Sequence, residues 1–202
     1  MSSAPDPVSS RGAVHAPDHA SLDAPGAASD DGQTVIAFVA LGANLGDRLG
    51  TLRAAVAALA SIPRVSLLAA SSAWDTAPVG PPDQPRYLNA AVALRTSRSP
   101  RELLAELLEI ERRFGRDRDG SRWTARTLDL DIILFGNAIV SEGDLAVPHP
   151  RFRERAFVLL PLAEIAGNAR DPVTGESVES LLRACPGRAD AVLVEQLAGP
   201  VD

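Results

Sequence analysis

The sequence predicts an α+β fold: a mainly antiparallel sheet with helices packed on it and a C-terminal extension. Three observations lead there. Apolar, β-branched runs at Thr34 to Leu41 and Ile132 to Phe135 suit buried strands. Two segments between them repeat apolar residues at helical spacing. The elements follow one another as strand, helix, strand, strand, helix, strand, which is the split βαβ or ferredoxin-like βαββαβ pattern. That fold hosts RNA binders, metal transporters and enzymes alike, so function has to be read from side chains.

Residues 1–33 come first and hold five Asp against one Arg, with almost no large apolar residue. Such a composition predicts a disordered tail, with the folded domain spanning 34–202. His15 and His19 lie in that tail without a third ligand and read as solvated chain. Thr34 to Leu41 is the first strand, and Gly42-Ala43-Asn44-Leu45-Gly46-Asp47 is expected to turn the chain. Leu45, Leu49, Leu52, Val56 and Leu59 then mark a helix that Pro63 stops. The Gly-containing junction could be a phosphate loop, but two glycines and no Lys favour a structural turn.

Val65 to Trp74 reads as the second strand. Asp75 to Pro85 carries four prolines and a glycine, a long stiffened loop of the kind that is usually functional. Tyr87 to Thr96 is the third strand, with Tyr87, Asn89, Ala91 and Ala93 on one face. The alanines would leave room there, while a ring and an amide could meet a heterocycle. Ser99-Pro100-Arg101-Glu102 is a capping box with Pro at the first helical position. Leu103, Leu107, Ile110 and Phe114 form that helix's apolar stripe. Glu111, unfavourable near a helix C-terminus, is expected to find a partner among the nearby arginines. Beyond the last strand a hairpin-like piece spans Ala138 to Val147, Pro148-His149-Pro150 presents a rigid His, and a helix covers Phe157 to Ile165, starting or kinking at Pro161. A short last helix begins at Val178, and the end is Ala/Gly/Pro-rich.

The chemistry concentrates between Gly115 and Phe135. Arg116, Arg118, Arg122 and Arg126 precede a strand on which Leu128, Leu130 and Ile132 alternate with Asp129 and Asp131. Residues two apart on a strand share a face, so the two carboxylates project together, roughly 6.5 to 7 Å apart at Cβ. That suits a pair of Mg²⁺ ions about 3.5 to 4 Å apart, bridged by carboxylate and phosphate oxygens. The alternative is a solvated face. Ile132 to Phe135 is apolar on both sides, however, which argues for a central strand where acids are costly unless paired or metal-bound. Acids that hold metal beside clustered guanidinium groups describe a polyphosphate site.

Composition narrows the classes further. The chain has 202 residues, a net charge of −6, 4% aromatics, and Arg as its only basic side chain other than His. Negative charge argues against a general nucleic-acid binder, and a Walker A loop is impossible without Lys. The single cysteine, Cys185, cannot form an internal disulfide and fits a reducing, cytoplasmic compartment. No apolar run approaches the ~20 residues of a membrane helix, and no secretory signal opens the chain.

These motifs, taken together, resemble the 6-hydroxymethyl-7,8-dihydropterin pyrophosphokinases of folate biosynthesis. The matching pieces are Gly42 to Asp47, Thr76-Ala77-Pro78-Val79-Gly80, Gln84 to Ala91, Glu111, Arg126 to Gly136, Val147-Pro148-His149-Pro150 and Arg155-Ala156-Phe157. They occur in order and cover about residues 34–182. The resemblance implies transfer of pyrophosphate from ATP to the hydroxymethyl group of the reduced pterin, with release of AMP. It implies two Mg²⁺ ions on Asp129 and Asp131, and phosphate clamping by Arg116 and Arg126. Contacts to ATP are implied for Glu111, Arg118, Trp123, Ile132, His149 and Arg155. Tyr87 and Phe157 would sandwich the pterin, Asn89 would bond its edge, and Thr76, Pro78, Val79, Trp123 and Asp129 would complete its pocket. Loops at roughly 77–86 and 115–126 would close over small-molecule substrates bound to a monomer. Two departures stand out: Thr124-Ala125 where many members have Gly-Pro, and Pro150 where an aromatic often follows the His. The competing readings are a single-stranded RNA binder on the same fold, opposed by the negative charge and the Asp pair, and a metal-binding interaction module, which leaves the arginines unexplained.

Overall fold

The computed structural model describes residues 34–78, 84–115, 127–187 and 190–197. Its main sheet is built from β1 (Val35–Ala43), β2 (Val65–Ala70), β3 (Ser72–Thr76), β4 (Tyr87–Thr96), β5 (Asp129–Phe135) and β8 (Val192–Gln196). The strands run in the order β5-β1-β4-β3-β8, with β2 also on β4, and every pairing is antiparallel. Helices α1 (Arg48–Ala60) and α2 (Pro100–Arg113) cover one face, while α3 (Ala156–Ala166) and α4 (Val178–Ala184) lie on the other. A two-stranded hairpin, β6 (Val140–Glu142) with β7 (Leu145–Val147), follows β5. The βαββαβ order and its antiparallel sheet are as the sequence predicts.

Local chemistry explains the helix starts. The Asp47 side chain accepts from the N–H of Gly50 to cap α1, and Ser99 and Glu102 form the reciprocal capping box of α2. The strand expected over Val65 to Trp74 is instead two strands. At the break, Ser71 Oγ takes the N–H of Ala91 at 2.9 Å, so a hydroxyl replaces a backbone carbonyl in the ladder and the strand bends. Gly42 lies within β1, so the turn begins after Ala43. Helix α3 runs through Pro161 from Ala156, one turn earlier than a Pro-initiated helix would.

Two further expectations are corrected. Among the described residues β5 is an edge of the sheet, not a central strand. Its two-sided burial comes from the helical layers. Leu130 and Ile132 pack into the α1/α2 core, and Ile133 and Leu134 into the α3 core. Backbone groups of β5 are met by other partners: the Leu130 N–H donates to Glu111 Oε1 at 2.8 Å, and Ile133 O accepts the N–H of His149 at 3.0 Å. The alanines of β4 leave no open space along their whole face. Ala91 and Ala93 are fully covered, because small side chains let α3 approach the sheet.

Candidate active site

The site lies where α3 stops covering its face of the sheet. Register places Asp129, Gly42, Asn89 and Trp74 in one cross-strand row, and Asp131 and Ala40 with Ala91 in the next. Directly paired residues share a face, so Asp129 and Asp131 project to the same side as Asn89 and Tyr87. Gly42 is the floor of this row. A Cβ there would come within 3.2 Å of Asn89 Oδ1 and about 4 Å of Asp129 Cβ and Tyr87 Cδ1. The missing side chain lets the amide oxygen sit close over the strand, with the ring and carboxylate residues at ordinary contact distance beside it.

Asn89 is buried, and its Nδ2 donates to Thr76 Oγ1 at 2.8 Å. That bond fixes the amide orientation, so Oδ1 faces Gly42. The Tyr87 hydroxyl donates to Gln84 Oε1 at 3.3 Å. Thr76 and Tyr87 are themselves a cross-strand pair, which joins this floor to the segment after β3.

Beside the carboxylates stand His149 and Arg155. His149 Nδ1 accepts the N–H of Arg151 at 3.2 Å, which leaves the proton on Nε2, 3.9 Å from Asp131 Oδ2. Burial, reinforced by the charge of Arg155, lowers the imidazole to about 4, so His149 is neutral near pH 7. Burial also lowers Arg155, with Asp131 and Asp129 pulling the other way; the group remains a cation. Its guanidinium lies 5.6 Å from the centre of the Phe157 ring. A bidentate ion pair from Arg153 to the fully buried Asp171, at 2.6 and 2.7 Å, anchors the short 3-10 turn (Phe152–Glu154) that carries the chain from His149 to Arg155.

A cavity of about 300 Å³ opens next to this group, lined by Thr76, Pro78, Arg155 and Phe157 together with Arg151 and Leu160, and closed on the far side by Pro186, Gly187, Asp190 and Ala191. Thr76 and Arg155 belong to both the cavity wall and the polar cluster, so the two regions are contiguous. Among the described residues, no group of three or more His, Cys, Asp or Glu forms a metal cage. Mg²⁺ does not need one, since it keeps waters and takes one or two carboxylates plus substrate phosphates. Two acids on one face, with Asp131 nearly half exposed, therefore fit that ion.

The structure thus brings together Thr76, Pro78, Tyr87, Asn89, Asp129, Asp131, His149, Arg155 and Phe157. Ile132 packs into the core on the opposite face. Glu111 is 1% exposed and accepts from the backbone of β5 between the two aspartates, while the arginines of 116–126 expected among its partners lie outside the described residues. Val79, Arg116, Arg118, Trp123 and Arg126 lie outside the described residues. Sequence reasoning missed Gly42 as the floor, Arg151 as a lining residue and the segment before β8. The first could have been found by noting that Phe38, Ala40 and Gly42, same-face residues of one strand, fall in size toward its end.

Known proteins resemble this chain over most of its length. The family described as 7,8-dihydro-6-hydroxymethylpterin-pyrophosphokinase matches residues 38–167. A 2-amino-4-hydroxy-6-hydroxymethyldihydropteridine pyrophosphokinase of Pseudomonas aeruginosa is 45% identical over 149 residues, 74% of this chain and 91% of that protein. Its namesake from Bacillus subtilis is 46% identical over 144 residues, 71% of this chain and 86% of that one. Among solved structures, an HPPK-DHPS in complex with substrates superimposes with a TM-score of 0.65 at 13% identity, over 79% of this chain. At that identity the likeness shows the fold alone, and this chain spans only 46% of that longer one. A matched family profile over most of the chain and close relatives aligned over nearly their whole length lead to one conclusion: this chain belongs to the 7,8-dihydro-6-hydroxymethylpterin-pyrophosphokinase family.

Proposed function

We propose a division of labour among these residues for the reaction of the family, in which this chain transfers pyrophosphate from ATP to the hydroxymethyl group of 6-hydroxymethyl-7,8-dihydropterin, a step of folate biosynthesis. The hydroxymethyl oxygen bonds to the β-phosphorus, the bond from that phosphorus to the oxygen bridging to the α-phosphate breaks, AMP departs with the electron pair, and one proton is released overall. Family members use Mg²⁺ with ATP. Here Asp129 and Asp131 would hold two such ions, which would supply charge neutralisation at the phosphate oxygens.

The pterin lies between the rings of Tyr87 and Phe157. Asn89 Oδ1, aimed by Thr76, accepts from the edge of the heterocycle, and Thr76, Pro78 and Val79 complete its wall. Asp129, at the junction, serves both substrates. Arg155 and the Nε2–H of neutral His149 donate to ATP phosphates without a charge change near pH 7. Arg116, Arg118, Trp123 and Arg126, matched by motif, supply further phosphate clamping and cover. Glu111 and Ile132, assigned to ATP by motif, act from behind by holding β5. The working unit is residues 34–202, monomeric and cytoplasmic.

The observation that carries this reading is the shared face of Asp129, Asp131, Asn89 and Tyr87 around Gly42. AMP release by the purified chain tests it. Release is expected only when ATP, Mg²⁺ and the hydroxymethyl dihydropterin are all present; release that ignores the pterin would refute it.

A further inference from the structure

We propose that Asp190 is a positioning residue for the pterin-side wall, binding the C-terminal segment to the peptide after β3. The inference rests on the pterin pyrophosphokinase reading and goes beyond its motifs, none of which includes Asp190. Asp190 Oδ2 accepts the N–H of Ala77 at 2.8 Å. Its two carboxylate oxygens each lie 3.2 Å from Arg86 Nη1, and its carbonyl accepts from Arg86 Nη2 at 2.9 Å. Arg86 is gripped from the other side by Asp75, through its Nε and through the Asp75 carbonyl at 3.3 Å. Arg48, at the start of α1, donates both to Asp75 Oδ2 at 3.1 Å and to the Arg86 carbonyl at 2.8 Å. Strand β8, which pairs Val192 with Asp75, anchors Asp190 only two residues away.

The consequence follows from peptide geometry. The Ala77 N–H and the Thr76 carbonyl belong to one planar trans peptide, so fixing the donor fixes the carbonyl in the opposite direction. Thr76 also orients Asn89. Ala77 and Asp190 line the same cavity as Thr76, Pro78 and Phe157. Each exposed ion pair alone is weak. The Arg86 fork shared by two carboxylates, with a backbone N–H at its edge, limits the Thr76–Pro78 backbone in a way that no single pair would.

Asp190→Ala and Asp190→Asn in the full chain test this, with each substrate varied while the other saturates. Asp190→Ala is expected to raise the KM for the pterin about fivefold, the scale of one lost hydrogen bond, with kcat and the KM for ATP within about twofold. Asp190→Asn keeps an oxygen for the Ala77 N–H and should recover most of the loss. Amide exchange of Ala77, followed by NMR, should accelerate by a similar factor in Asp190→Ala only. An unchanged pterin KM, or an equal rise in both KM values, overturns the proposal, as does unaltered Ala77 exchange. Wild-type turnover beside an indifferent Asp190→Ala sinks this inference alone; a wild-type chain that releases no AMP with the pterin sinks the family reading with it.

Discussion

The two faces of β1 are made from alternate residues of one strand and do opposite jobs. On the α1/α2 face stand Val35, Ala37, Val39, Leu41 and Ala43, all buried. On the α3 face stand Ile36, Phe38, Ala40 and Gly42, which from Phe38 onward shrink toward the strand's C-terminal end. Neighbouring strands follow suit. Leu134 gives way to Asp131 and Asp129 on β5, and Ala93 and Ala91 give way to Asn89 and Tyr87 on β4. One face is a uniform core. The other is core under α3 and, where the helix ends, a polar floor. A single sheet can therefore supply rigidity from one side and chemistry from the other, provided that bulk on the second side falls away at the right row.

Substitutions on each face should separate these roles. Asp131→Ala removes a carboxylate from the chemical face and is expected to lower kcat by about a thousandfold or more while the melting transition is retained; steady-state AMP release and circular dichroism check both halves. Leu41→Ala, one residue from the floor but on the core face, should cost about 2 to 5 kcal/mol of stability in urea unfolding. Activity per folded molecule should change little. Gly42→Val fills the floor against Asn89 Oδ1 and should raise the KM for the pterin about tenfold, roughly 1.4 kcal/mol of binding, with a smaller effect on stability. If Leu41→Ala abolished turnover of the folded protein, or Gly42→Val changed stability alone, the division between faces would fail.

The smallest effect concerns the anchor of the 3-10 turn. Burial by itself would push the Asp171 carboxyl up. The Arg153 fork, the Thr174 hydroxyl and the Val173 N–H outweigh it and hold the group at about 2. The folded-state value lies below the ordinary 3.8, so the contribution to stability is complete above about pH 4 and is lost as pH falls toward 2. Melting temperatures of the wild type should therefore drop across that window, and Asp171→Asn should show a lower plateau with a shallower acid slope. Identical slopes would contradict the assignment.

Much of this was legible in the residues. Period-2 alternation placed Asp129 and Asp131 on one face, because side-chain direction on a strand is set by geometry alone. The capping box located α2, and the strand Tyr87 to Thr96 was bounded correctly. What failed was what depends on partners far away in the chain. The edge position of β5 was hidden because helical layers bury both its faces. The bond from the Leu130 N–H to Glu111, across nineteen residues, was not foreseen, since no local charge pattern reveals a backbone partner. β8 was missed because Val192, Leu193 and Val194 form a short, exposed run whose strand conformation depends on pairing with β3. The floor at Gly42 was taken for a turn, since a glycine that serves as open space looks the same in sequence as one that bends the chain.

The claim on which the rest depends is that Asp129 and Asp131 jointly hold two divalent cations against the nucleotide. Electron paramagnetic resonance counting of bound Mn²⁺, with a non-hydrolysable ATP analogue and the pterin present, tests it most directly. The account predicts two ions per wild-type chain and fewer in Asp131→Asn at the same free Mn²⁺; equal occupancy in the two proteins would contradict it.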